Sequence, residues 1–287
     1  MYNGVRLLMH IHIIASKISR REFSNDMPKF KELLQSAKEV VVLSGAGISA
    51  ESGIPTYRDK GDLWRTLPSS ILNNPETFRE DPGLVWEFYH HRREMALKAQ
   101  PNAGHIAIAQ YAQRHAADKK VTVVTQNIDG LHSRAGAKNV IELHGTLFKT
   151  RCTKCNEVLV NTDSPICPAL QGKGSETSTQ LYSDIPEKDL PHCKKCGALL
   201  RPHIVWYGEL VESETIMRLE PVISKCNMLL VVGTSSIVYP AAAFPTVMSA
   251  GGSTVAEFNI EPAPASTMFD FYFVGPSATT LPVALSD

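Results

Sequence analysis

Six short runs dominated by β-branched and other apolar residues decide what this chain can fold into: Glu39–Leu43, Lys120–Thr125, Val140–Leu143, Met228–Val232, Thr254–Phe258 and Phe269–Val274. Runs with so little polar alternation belong to strands buried on both faces, and hence to a parallel sheet covered by helices on either side. The spacers supply helices. Met27–Ala37 reads as a helix leading to the first strand, Asp81-Pro82-Gly83 opens one over Leu84–Lys98, and Pro101-Asn102-Ala103 opens another over Ala103–His115. Ligands of open α/β sheets bind beyond the carboxyl ends of the strands. Gly45, Gln126, His144, Gly233 and Asn259 all fall at such ends, so one site is expected to collect them.

The first strand runs into Ser44-Gly45-Ala46-Gly47-Ile48-Ser49-Ala50-Glu51-Ser52-Gly53-Ile54-Pro55-Thr56-Tyr57-Arg58. A strand feeding a Gly-x-Gly turn is how a parallel sheet offers backbone N–H groups to a phosphate. Gly45 and Gly47 are expected to let the main chain approach a ligand where a Cβ would clash. The Gly-x-Gly-x-x-Ala pattern alone is weak, because ordinary strand–loop turns share it. The continuation discriminates better. Gly53 and Pro55 stop any helix within a few residues, whereas a dehydrogenase-type dinucleotide fold needs a full helix and a second strand there.

Four of the six cysteines form two Cys-x-x-Cys pairs, Cys152/Cys155 and Cys193/Cys196, each in a lysine-bearing turn that favours thiolates. Two such knuckles closing on one ion give a filled tetrahedral Zn–S₄ shell, with a redox or disulfide pair as the alternative. Cys167 and Cys226 read as buried thiols. Residues 149–203 hold both knuckles, a Gly/Ser/Thr-rich loop at Gln171–Thr179 and five prolines, and they break the strand–helix alternation. The expected architecture is α/β: a Rossmann-like parallel sheet with helices on both faces (25–148 and 204–287) carrying a small inserted zinc-binding module (149–203).

Lysine plus arginine balances aspartate plus glutamate at 29 each, so no global field draws the protein to nucleic acid or to an anionic membrane. No apolar run approaches the ~20 residues needed to span a bilayer. Residues 1–24 differ: Arg6, Lys17, Arg20 and Arg21 precede the first acidic residue, Glu22, with isoleucines and leucines between them. That is the composition of a mitochondrial transit peptide; a disordered tail or a secretory signal are the alternatives. The expected location is the mitochondrial matrix, with the cytosol and nucleus as further locations.

The glycine loop, Gln126-Asn127-Ile128-Asp129-Gly130-Leu131-His132, Leu143-His144-Gly145 and Gly233-Thr234-Ser235-Ser236 together resemble the sirtuins, in that family's order and from about residue 30 to the C-terminus. The resemblance implies an NAD-consuming protein-lysine deacylase with NAD as co-substrate, one structural Zn²⁺, acyl-lysine proteins or peptides as substrates, and a monomeric enzyme. It makes His144 the general base that activates a ribose hydroxyl; His132 reads as structural. Gly45, Ala46, Gly47, Glu51, Tyr57 and Arg58 would line the phosphates and the nicotinamide ribose. Gln126, Asn127, Ile128 and Asp129 would hold the nicotinamide and its ribose; Asp129 could instead cap the following helix. Gly233, Thr234, Ser235, Asn259, Ile260, Glu261 and Ser277 would hold the adenosine half. A substrate strand would pair with Val205-Trp206-Tyr207-Gly208-Glu209 through main-chain hydrogen bonds.

Acyl preference is read from one helix. Val85, Tyr89, Arg92 and Ala96 form a continuous stripe at i, i+4, i+7 and i+11. An arginine on an inward stripe needs an anionic partner, and a phenol three residues earlier can share it. This Tyr-x-x-Arg resembles the class III sirtuins, which remove succinyl, malonyl and glutaryl groups. Pairing of Arg92 with Glu87 or Glu94 on the rim is the alternative, and Arg93 is expected to be solvated. Two other readings stay open: an acetyl-preferring enzyme, and a zinc-ribbon module that binds a nucleotide without turnover.

Overall fold

The computed structural model describes residues 24–56, 63–263 and 266–286. Residues 1–23 of the expected leader, and Tyr57 and Arg58 of the phosphate loop, lie outside them. Ser24, the last residue assigned to the leader, already exchanges main-chain hydrogen bonds with Asp270 and Tyr272 at the sheet edge.

In chain order the strands are β1 (Glu39–Ser44), β2 (Lys120–Thr125), β3 (Val140–Glu142), β4 (Gly145–Cys152), β5 (Val158–Val160), β6 (Leu200–Ile204), β7 (Met228–Val232), β8 (Thr254–Asn259) and β9 (Phe271–Val274), besides a two-residue ladder at Leu63–Trp64 and Leu67–Pro68. Six of them make one parallel sheet in the order β9-β8-β7-β1-β2-β3. From β1 the chain runs out to one side through β2 and β3, then returns to build β7, β8 and β9 on the other. The connections leave β1 and β7 in opposite directions, which opens the crevice in which such sheets bind ligands.

The first three long helices are each capped by a side chain, two of them where the sequence analysis places the opening. Asp26 accepts from Lys29 N at the head of α1 (Met27–Ser36), Asp81 from Leu84 N at the head of α2 (Pro82–Lys98), and Asn102 from Gly104 N at the head of α3 (Ala103–Arg114). Later in the chain come α4 (Ser213–Lys225), α5 (Phe244–Ala250) and α6 (Ser277–Ala284), and shorter helices lie at Gly47–Ala50, Ser69–Leu72, Pro75–Glu80 and Leu131–Arg134. None of the described helices is long and apolar enough to cross a membrane. Phe30 of α1 is fully buried, edge-on to Phe258, Phe271 and Phe273 at 5.3–5.7 Å, an arrangement that favours aromatic pairs.

Two apolar clusters cover the two faces of the sheet. A third lies off it. There Trp64, Leu72, Phe78, Val85 and Tyr89 pack with Leu147, Cys152, Leu170, Cys193, Leu200 and Trp206. The excursion between β1 and β2, expected to belong with the sheet, therefore shares its core with the inserted segment. The antiparallel sheet β5-β4-β6 spans both expected module boundaries.

Wrapped on both sides, α2 is buried around most of its circumference, and the expectation that Arg93 is solvated fails for that reason. Arg93 is 2% exposed; it donates to the Leu147 carbonyl and, at 2.9–3.1 Å, to Asn161 and the Asp163 carbonyl. Carbonyl oxygens rather than a carboxylate take the two terminal nitrogens of the guanidinium, while its buried Nε has no partner among the described residues, and burial lowers its pKa.

Candidate active site

At the switch point the two glycine turns meet backbone to backbone. Gly45 N–H donates to the Val232 carbonyl at 3.0 Å and Gly47 N–H to the Gly233 carbonyl at 2.8 Å. A Cβ on Gly45 would lie 2.7 Å from the Thr234 Cβ, and one on Gly47 2.8 Å from the Gly233 Cα. The neighbouring loop by itself already leaves no room for side chains at these two positions. The helix after Gly47 is a single turn, Gly47–Ala50, and Gly53 ends the segment at φ +83°.

The ends of β1, β2 and β7 are laced by polar side chains. Gln126 Nε2 donates to Thr234 Oγ1 at 2.9 Å, and Asn127 Nδ2 to the Gly45 carbonyl at 3.0 Å. Asp129, 6% exposed, accepts from Ser49 Oγ at 2.7 Å and from Leu131 N at 2.9 Å, so it caps the next turn while facing the glycine loop. Burial raises its pKa, opposed by those two donors and by the charges of Arg92 and Arg134. Ile128 is buried, and its carbonyl takes the Leu147 N–H. His132 is buried against Ser44 Oγ at 2.8 Å.

His144 sits at the mouth of this cluster. Its Nδ1 lies 3.2 Å from the Gln126 carbonyl, which can only accept, so Nδ1 carries the proton and Nε2 the lone pair. Burial holds its pKa below the ordinary 6.5, the Gln126 carbonyl pulling the other way. Behind it the His144 carbonyl receives the Val205 N–H at 3.0 Å. Gly145 follows at φ +79°, where a Cβ would sit inside the His203 carbonyl oxygen. Gly145→Ala is therefore expected to destabilise the fold by about 3 kcal/mol or more, measured by denaturant unfolding.

Among the residues expected to hold the adenosine half, Asn259 Nδ2 donates to the Thr234 carbonyl at 3.0 Å and Asn259 Oδ1 accepts from Ile260 N. Ser235 is half-buried beside it, while Ile260 and Glu261 are exposed at the rim. Ser277 is buried at the start of α6, and Ala278 N–H donates to Glu51 at 2.9 Å. Glu51, expected among the phosphates, thus ties the glycine loop to α6. Ala46 is half-buried between these groups.

The residues expected to line the acyl group lie on α2 and the segment after β6. Val85, Tyr89 and Ala96 of the stripe are buried, and Arg92 is half-buried with its guanidinium 5.5 Å from the Phe88 ring centre. The rim partners considered for Arg92 are engaged elsewhere: Glu87 with Arg65 at 2.6 Å, Glu94 with Ser164. Tyr89 Oη accepts from Trp206 Nε1 at 2.8 Å and donates to Asn73 Oδ1. Of the expected docking segment, Trp206 and Glu209 face inward. Arg201 grips Glu209 at 2.6 and 2.8 Å and lies 3.6 Å over the Trp206 ring, and Tyr207 N–H goes to the Asn73 carbonyl. Val205 is half-buried, and Tyr207 and Gly208 are exposed.

Comparison with known proteins decides the family. The Sir2 family model matches residues 45–240. The chain belongs to the Sir2 family. It is 50% identical to the dog (Canis lupus familiaris) protein named NAD-dependent protein deacylase sirtuin-5, mitochondrial, over 92% of this chain and 86% of that one. It superposes on the crystal structure of a Sir2 homolog–NAD complex with a TM-score of 0.80 at 35% identity, covering 93% and 95% of the two chains. A Sir2–p53 peptide–NAD⁺ structure matches with a TM-score of 0.71 at 29% identity, covering 89% and 95%.

The four zinc-knuckle sulfurs of this sirtuin lie within 4.8 Å of one another, with Cys152–Cys196 at 3.4 Å and Cys155–Cys193 at 3.8 Å. A tetrahedron with Zn–S of ~2.3 Å has edges of ~3.8 Å, so the four fit one zinc ion, and the separations are far too long for disulfides. Hydrogen bonds from the Cys155 and Lys154 N–H groups draw the Cys152 thiol down to about 6, in the thiolate sense that a metal needs.

Several residues that shape the site were not singled out from sequence. Ser49 bridges Asn127 and Asp129. Asn102, read only as a helix opener, also donates to the Ile48 carbonyl and Ser52. Arg201, whose neighbours in sequence carry no hint of it, holds Glu209 and Trp206.

Proposed function

We propose that this chain is a mitochondrial NAD-dependent protein-lysine deacylase that prefers acyl groups ending in a carboxylate: succinyl, malonyl and glutaryl. The observation that carries the chemistry is the His144 tautomer. With Nδ1–H held by the Gln126 carbonyl, Nε2 keeps a lone pair facing the site and stays neutral near pH 7. On this reading the acyl-lysine carbonyl oxygen attacks C1′ of the nicotinamide ribose as nicotinamide departs. His144 then takes the proton of a ribose hydroxyl, whose oxygen attacks the former acyl carbon. The lysine amine leaves, and water completes release of O-acyl-ADP-ribose. Asn127 and Asp129 would orient the nicotinamide carboxamide and ribose, and Gln126 the ribose hydroxyls. Thr234, Ser235, Asn259 and Ser277 would hold the adenosine half.

The acyl preference rests on Arg92, whose charge is felt at Asp129, on the same helix face as Tyr89. The Trp206 N–H pins the phenol oxygen, so the Tyr89 proton needs only to rotate from Asn73 to meet a ligand carboxylate, a stronger, charge-assisted acceptor. Arg92→Met is expected to lower kcat/KM on a succinyl-lysine peptide by roughly 10–150-fold, the value of a charged hydrogen-bonded pair of about 1.5–3 kcal/mol, with little loss on the acetyl peptide. A wild-type enzyme faster on acetyl than on succinyl peptide would refute the preference.

The basic leader, acid-free up to Glu22, supports import into the matrix, with cytosol and nucleus as further locations. Substrates are acyl-lysine proteins docking against Val205–Glu209. The balanced charge gives no field that would draw nucleic-acid or membrane partners; the monomer is what the family resemblance implies.

A further inference from the structure

We propose that the cavity between α2 and the loops of the inserted module is a binding site for a small organic amine or guanidine. No step of the reaction described above uses it. The cavity has a volume of about 310 Å³, at the lower end of ligand-binding clefts. His90, His91 and Glu94 of α2 form one wall, Ser164 and Pro165 a second, and the loop of residues 171–175 the third.

Buried arginines fix the two loop walls to the helix. Arg65, its side chain 2% exposed, pairs with Glu87 of α2 at 2.6 Å and donates to the Ser175 carbonyl at 3.1 Å. Gly174 lies against the same turn of α2, where a Cβ would come within 2.5 Å of the Glu87 carbonyl oxygen. Arg93 donates to the Asp163 carbonyl at 2.9 Å and so holds the residue that leads into Ser164 and Pro165. These charge-assisted contacts set the shape of the cavity before any ligand arrives.

What α2 leaves unsatisfied in this wall is a pair of acceptors. His90 is 5% exposed and makes no hydrogen bond among the described residues. Its Nδ1 is closed to solvent and stands 3.9 Å from Glu94 Oε1. That is beyond hydrogen-bond reach, yet close enough for the carboxylate to hold the ring proton on Nδ1, which leaves Nε2 its lone pair. Burial lowers the pKa of the ring, against the pull of Glu94, and keeps it neutral near pH 7. Glu94 accepts from the Ser164 hydroxyl and pairs with no lysine or arginine among the described residues. The neighbouring cations are engaged: Lys173 with Asp184 at 2.8 Å, Arg93 with main-chain carbonyls, and His91 with Glu176 at 3.0 Å. A carboxylate without a cation and an imidazole lone pair without a donor stand one helical turn apart. An ammonium or guanidinium supplies both the charge and the N–H groups they lack; a carboxylate or phosphate supplies neither.

The test titrates the full-length protein with agmatine, 1,4-diaminobutane and inorganic phosphate by calorimetry at low ionic strength. Each titration is run alone, with saturating ADP-ribose, and with saturating acyl peptide in the absence of NAD. Both amines are expected to bind with a Kd of about 1 mM or tighter, unchanged within about twofold by ADP-ribose or peptide. Glu94→Gln, which removes the charge, and His90→Phe, which keeps the ring and removes its nitrogens, should each weaken agmatine by about tenfold or more. If His90→Phe does not fold, Glu94→Gln carries the comparison, since the Glu94 side chain is 29% exposed. No amine binding up to about 10 mM overturns the proposal, as does an affinity that Glu94→Gln leaves unchanged. Displacement of the amines by ADP-ribose or acyl peptide would put them in the active site and also overturns it. Phosphate bound in place of the amines while ADP-ribose fills the cofactor site, or a capped arginine tripeptide bound where agmatine is not, would do the same. Binding is read without turnover, so the result stands apart from the deacylase reading.

Discussion

Replacing His144 by alanine should lower kcat by about 10²–10⁴ while NAD still binds, as expected for removal of a general base that is not a major binding contact. Among the described residues the side chain is tied only to the Gln126 carbonyl, so its loss leaves the glycine turns and the Asn127–Ser49–Asp129 cluster in place. The pH profile supplies an independent check. Burial lowers the His144 pKa, which favours the neutral, lone-pair-bearing form. The acid limb of kcat/KM should therefore have its midpoint below 6.5 and the rate should be flat through neutrality. In the alanine variant that limb should vanish. Turnover at the wild-type level would remove His144 from the role.

Removing the zinc should have the larger effect on the fold. Purified protein is expected to carry one zinc per chain, and chelation or Cys193→Ser should disorder the three-stranded sheet and its loops. Cys152 and Cys193 are buried in the same cluster as Tyr89, Trp206 and Leu147, so the damage would reach the acyl wall, which holds no metal ligand itself. A closed zinc centre contributes its binding free energy directly to folding. A loss of ~4 kcal/mol, well below a full zinc-site contribution, would lower Tm by roughly 8–16 °C in a domain of this size. A folded, active preparation containing no zinc would dispose of the centre.

The parts legible in the sequence are those governed by local chemistry. Strand cores follow from uninterrupted β-branched runs. Two helix starts follow from Asp81 and Asn102, whose side chains accept from the first turn. The cysteine spacing specified a tetrahedral centre because a two-residue turn sets the distance between its sulfurs. The candidate site was legible as a set of strand ends, and the parallel order of the sheet brings those ends together.

The rest depended on partners distant in sequence. Arg92 and Arg93 are neighbours of one type on one helix; a 100° step around the axis turns one towards Asp129 and the other into the carbonyls of Leu147, Asn161 and Asp163. A stripe argument assumes one apolar face, and α2 is enclosed on most sides because the inserted module covers the face that a simple doubly wound fold would leave to water. Gly45 and Gly47 look like ligand-facing glycines in any linear reading, yet the atoms that exclude a Cβ belong to Gly233 and Thr234, nearly two hundred residues on.

By itself the sequence determined the class of sheet, the order of its motifs, the metal-binding cysteines and the family. Periodicity, cap chemistry and residue spacing act over a few residues and survive in a linear string. Only the tertiary structure decided which polar atoms satisfy one another: the His144 tautomer, the bridge that Ser49 makes between Asn127 and Asp129, and the inward turn of Trp206 and Glu209. Burial makes each of those hydrogen bonds obligatory, and burial is created by segments that meet only after the chain has folded.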